Sequence, residues 1–69
     1  MLVYKIDVLE SLKEAGYSTA RLRREKLIAE ASLQYLRDGK VVGPIVLDTL
    51  CRLLDMQPGN IIKYVEDEK

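Results

Sequence analysis

Four interruptions, Gly16, Gly39, Gly43-Pro44 and Pro58-Gly59, divide this 69-residue chain into stretches too short for a long helix. Glycine and proline are the strongest local breakers of regular backbone, the first by conformational freedom and the second by its missing N–H. What remains between them are short pieces that must share one core. A chain of this length buries only roughly 60% of the surface that its unfolded form exposes, so that core is thin and leaves no deep cavity beside it. The whole of residues 1–69 is therefore expected to be one small domain.

The pieces read mainly as helices. Asp7 to Ala15 places Val8, Leu9, Leu12 and Ala15 on one face, with Asp7 as cap, Glu10 three residues on, and Gly16 suited to the left-handed residue past the end. Ser18 is a second cap candidate, opening a helix from Thr19 to about Lys26 with Leu22 turned inward. A third helix runs from about Glu30 to Arg37 on Leu33 and Leu36, and the tight connection before it forces a steep crossing. Leu47 to Asp55 carries a broad apolar stripe of Val46, Leu47, Leu50, Cys51, Leu53 and Leu54, and Pro58 fits the first position of a short fifth helix bearing Ile61 and Ile62. The two ends differ. Residues 2–6 and 62–66 are β-branched, aromatic and partly alternating, which predicts strands that pair either within one chain or across a dimer. The fold class is mainly α, five short helices with a small two-strand pairing of the termini.

Composition excludes several kinds of chemistry. There is no His, hence neither the commonest acid/base residue nor the commonest metal ligand, and the single Cys allows no internal disulfide. Cys51 falls within an apolar stripe and is expected to be buried and inert. Pairs of acids such as Asp7/Glu10 and Glu10/Glu14 share helical faces, but so thin a domain offers no pocket to desolvate them. No Gly-rich phosphate loop and no metal-ligand cluster occurs. The expectation is not an enzyme, with no cofactor, no metal and no small-molecule ligand. No segment approaches the ~20 apolar residues that a bilayer span requires, and no leader or lipid anchor is evident, so a cytoplasmic protein without membrane contact is expected.

Tyr17 to Lys40, YSTARLRREKLIAEASLQYLRDGK, has the layout of a helix-turn-helix. Together with the helix before it and the Leu-rich helix after it, the segment resembles the lambda-repressor/Cro type (Xre-like) DNA-binding family. The ending LDTLCRLLDMQPGNIIKYV is similar to that of small Xre-like regulators, whose fourth helix is followed by a Gln-Pro-Gly-Asp-type turn. The resemblance implies a five-helix lambda-repressor-like bundle and a transcriptional regulator, expected to be a repressor, that binds double-stranded DNA by inserting its third helix into the major groove. It directs Glu30, Ala31, Gln34 and Tyr35 toward base edges. Ser32 and Thr19 fall where the family contacts phosphate, and Lys40 matches a basic phosphate-contacting position. Arg21 belongs to the basic stripe that would run with Thr19, Ser32, Tyr35 and Lys40. With so little contact area per module, a homodimer on half-sites about 34 Å apart is expected.

Two departures stand out. Arg23 occupies a place where the family usually has a small residue, and Leu27 one where it usually has Gly, so the turn is expected to change shape or the second helix to lengthen. Arg21, Arg23, Arg24 and Lys26 suit a solvated helix face equally well. Formal net charge is zero, but residues 17–40 hold six basic residues against three acids. Neutrality, Glu30 and the two departures keep a second reading open: a protein-interaction module on the same fold, an antitoxin-like or phage-encoded partner protein. The acidic end, Glu66 to Glu68, reads as solvating.

Overall fold

A computed structural model describes residues 1–66. Among them lie β1 (Leu2–Tyr4), α1 (Val8–Glu14), α2 (Thr19–Arg24), α3 (Glu30–Arg37), α4 (Pro44–Leu54), α5 (Pro58–Ile61) and β2 (Ile62–Tyr64). The mainly helical class is as expected. The sheet also forms, as an antiparallel pair within one chain in the register Leu2 with Tyr64, Val3 with Lys63 and Tyr4 with Ile62. Its regular part is shorter than residues 2–6 and 62–66. Backbone bonds from Lys5 N–H to the Ile61 carbonyl and from Val65 N–H to the Met1 carbonyl continue the ladder by one step at each end.

Local chemistry fixes the helix ends. Asp7 caps α1 by accepting from the Glu10 amide at 3.2 Å, and Ser18 caps α2 by accepting from the Arg21 amide at 3.2 Å. Gly16 follows α1 at φ +96°, a left-handed position that a side chain would strain. Three boundaries depart from the periodicity. Ala15, expected on the inner face, caps the end of α1 and is exposed. Helix α4 starts three residues before Leu47, because Pro44, lacking an N–H and fixed near helical φ, serves as its first residue. Helix α2 stops at Arg24 rather than near Lys26, because Lys26 adopts φ +54° and turns the chain toward α3. The left-handed residue of this turn is thus Lys26, and Leu27 is spared it; its half-buried side chain packs on the core.

The core draws on every helix. Leu12, Leu22, Leu33, Leu50 and Ile61, one from each of α1 to α5, are fully buried, with Val8, Ile28, Leu36 and Val42 around them. Burial of one such side chain stabilises the fold by roughly 1.5–3 kcal/mol. The stripe of α4 is covered on only one side: Leu50 is buried, Val46, Leu47, Cys51, Leu53 and Leu54 are half-buried, and Ile45 is 85% exposed. Cys51 is half-buried, not buried, because its flank borders an open groove that α4 forms with Met56 and Pro58.

One polar contact ties the strand pair to the helix-turn-helix. The Tyr4 hydroxyl donates to the Lys40 carbonyl at 2.7 Å and accepts from the Val42 amide at 3.1 Å, pinning the segment that leaves α3. Burial pushes the Tyr4 hydroxyl above its ordinary value of 10.0, only partly offset by the Val42 amide. A group more easily ionised in the unfolded chain stabilises the fold fully below that ordinary value, and the contribution is lost as pH rises through the folded value. Tyr4→Phe is expected to lower unfolding free energy by about 1 kcal/mol in urea at neutral pH. The gap from wild type should narrow when the titration is repeated above pH 10.

Candidate nucleic-acid interface

Helix α3 has eight residues, about 12 Å at 1.5 Å per residue. Leu33 and Leu36 bury one face, which leaves Ala31, Gln34 and Tyr35 outward and exposed. On one flank Ser32 is half-buried, and a shallow open recess of about 230 Å³ lies between Ala31, Ser32 and Tyr35 of α3 and the following Val42 and Gly43. Tyr35 is 48% exposed, and the Lys40 ammonium sits 5.6 Å from its ring centroid. The structure therefore brings Ala31, Ser32, Tyr35 and Lys40 to one place.

Thr19 begins α2 and is half-buried; it lines a separate groove together with Arg37 and Gly39, past the end of α3. Arg21 is committed locally. Its Nε donates to Glu25 at 2.8 Å, its Nη1 donates to the Gly16 carbonyl at 2.8 Å, and its guanidinium lies 4.7 Å from the Tyr17 ring centroid. The hydrogen bond to Glu25 raises its pKa further. The basic stripe read from the sequence is thus divided, with Arg21 folded back on the turn between α1 and α2.

The other flank of α3 carries a charged chain of contacts. Glu30, the first residue of α3, accepts from Arg23 Nε at 2.5 Å and from Arg23 Nη2 at 3.0 Å, a two-pronged pair linking α2 to α3 across the turn. Arg37 Nη1 lies 3.8 Å from the second Glu30 oxygen and donates to Gln34 Oε1 at 3.3 Å. Gln34 Nε2 in turn donates to Asp38 at 3.1 Å. Arg23 does snorkel outward, its side chain 47% exposed, so the crowding expected from an Arg at that place is avoided. Arg37 is absent from the candidates that the sequence offers, and Arg23 enters there only as a departure from the family and as part of the basic run Arg21, Arg23, Arg24 and Lys26. Arg23 and Arg37 stand seven residues to either side of Glu30, so that the one signal available was a carboxylate midway between two arginines.

Groups of Cys, Asp and Glu able to hold a metal ion do not occur among the described residues. No described helix is long and apolar enough to cross a membrane.

Two short helices joined by a turn, with Leu22 and Leu33 in one buried cluster and an exposed polar face on the second, define a helix-turn-helix unit. Residues 7–67 match the family described as the Cro/C1-type HTH DNA-binding domain, and the chain belongs to that family. It is 32% identical over 69 residues to the uncharacterized HTH-type transcriptional regulator YozG of Bacillus subtilis (strain 168), covering 97% of this chain and 80% of that protein. No solved structure matches the chain.

The hydrogen bond from Arg23, with smaller help from its charge and that of Arg37, outweighs desolvation and holds the Glu30 carboxyl below its ordinary value of 4.5. A depressed carboxyl stabilises the fold above that ordinary value, and the contribution is lost as pH falls through the folded one. Wild type should therefore melt slightly above Glu30→Gln at pH 7. The difference in Tm should shrink below pH 4.5, as a calorimetric pH series would check.

Proposed function

We propose that this chain is a transcriptional regulator, a repressor, that binds double-stranded DNA by placing α3 in the major groove. The observation that carries the proposal is the outer face of α3, where a methyl (Ala31), an amide (Gln34) and a phenol (Tyr35) are exposed over a buried Leu33–Leu36 face. The helix is short enough to enter a groove about 12 Å wide. An amide can pair with adenine, and apolar groups can meet a thymine methyl. Glu30 stands at the leading end of the helix and Lys40 just beyond its trailing end; Thr19 and Ser32 flank them as phosphate contacts, and Arg21 joins them only by giving up Glu25 and the Gly16 carbonyl. Membership of a DNA-binding family and a relative described as a transcriptional regulator support the same reading.

A single α3 offers little contact area, so a homodimer on half-sites about 34 Å apart is proposed. Exposed apolar groups on α4 and the strand pair, Ile45, Leu2 and Tyr64, supply its surface. The regulator would act in the cytoplasm as a single domain over residues 1–69, without cofactor or small-molecule ligand.

Selection from a random duplex pool, followed by salt titration of the recovered site, tests the proposal. Lys40→Ala should weaken binding to all sequences alike and flatten the slope of log K against log salt by about one. Tyr35→Ala and Gln34→Ala should instead relax preference at particular base pairs of the selected site. Absence of any salt-dependent shift on duplex DNA at ~50 mM salt would overturn the DNA reading and favour a protein partner for the same fold.

A further inference from the structure

We propose that Glu30 is an intramolecular competitor of DNA phosphate: it holds Arg23 and Arg37 on the protein and so sets how many phosphates the domain neutralises. The inference rests on the DNA-binding reading above and concerns two cations which that reading leaves unused.

Geometry carries it. One carboxylate receives both prongs of the Arg23 fork and stands 3.8 Å from Arg37, so it touches the end of α2, the start of α3 and the last turn of α3 at once. All three side chains face solvent, with Arg23 47%, Arg37 37% and Glu30 61% exposed. Exposed pairs of this kind add little to folding, so holding the fold together does not explain why a carboxylate sits here. The same exposure leaves the two guanidiniums within reach of an approaching polyanion. A guanidinium fork matches phosphate as well as it matches carboxylate, and while Glu30 occupies it the fork is unavailable. At the first residue of an eight-residue helix the carboxylate is also favoured by the unpaired N–H groups of that end, which keeps it charged and in place.

The network reaches the reading face as well. Arg37 donates to Gln34, and Gln34 donates to Asp38, so the amide proposed to read a base is held in a defined orientation by a residue that Glu30 attracts. Opening the Glu30 pair would therefore add phosphate contacts and loosen Gln34 together.

Glu30→Gln keeps the size but removes the charge and turns one of the two acceptor oxygens into an NH2 donor, so the two-pronged pair with Arg23 cannot form. On random duplex it is expected to bind several-fold more tightly than wild type. The slope of log K against log salt should steepen by about one to two, at roughly 0.9 per phosphate gained. The same substitution in an Arg23→Ala/Arg37→Ala background should leave that slope unchanged, because no arginine remains to be released. A steepening of equal size in that background would mean simple repulsion between Glu30 and DNA, and would overturn the proposal. So would a wild-type slope in Glu30→Gln itself. Glu30→Ala serves as a second variant, with circular dichroism confirming that each variant is folded. Failure of every protein in the set to bind DNA would remove the DNA reading and this inference with it. Wild-type binding with an unaltered variant slope removes this inference alone.

Discussion

Everything about α3 depends on one shared cluster of buried side chains. Helices of 4 to 11 residues have no independent stability in water, since nucleation is costly and few bonds follow it. Each helix here contributes one fully buried residue, Leu12, Leu22, Leu33, Leu50 or Ile61, to that cluster and gains its persistence from it. The orientation of α3 is accordingly a property of the whole chain. Leu33 holds its middle and Leu36 its last turn, and Val42, pinned through the Tyr4 hydroxyl, closes the cluster from the segment that follows. The strand pair, at the far end of the sequence in both directions, is part of the same arrangement through that hydroxyl.

Much of this was legible in the residues themselves. Leu22, Leu33 and Leu36 were readable as inward because their spacing matches a helical turn, and Asp7, Ser18 and Gly16 because capping is local chemistry. The exceptions all involve a partner distant in sequence or a competing backbone preference. Periodicity begins α4 at Leu47, since Pro44 and Ile45 add nothing to an apolar stripe; the first turn forms anyway because proline suits its opening position. Leu27 stands where the resembled family usually has Gly, so the turn between α2 and α3 was expected to change shape or α2 to lengthen. A left-handed Lys26 makes that turn, which lets Leu27 keep an ordinary conformation and its place against the core.

The charged groups were the least legible. Helical spacing relates residues three and four apart, so it finds the Arg21–Glu25 pair, but it is silent about Arg23 and Glu30, which meet only because the chain turns between them. The departure at position 23 and the acid at the start of α3 looked like two separate oddities. In the fold they are one contact, each supplying the charge that the other lacks.

That contact also changes what the zero net charge means. Residues 17–40 have a surplus of three positive charges, but Arg21 faces Glu25, and Arg23 and Arg37 face Glu30. A surface on which three of the four arginines face a carboxylate of the same unit attracts a polyanion less strongly, because fewer counterions are released when such a pair merely changes partner. On the proposed DNA-binding reading, shape and base-edge contacts would supply a larger part of the binding free energy than sequence-independent attraction. The neutral composition and the internal pairing of arginines act in the same direction, each lowering the bulk charge that a polyanion meets.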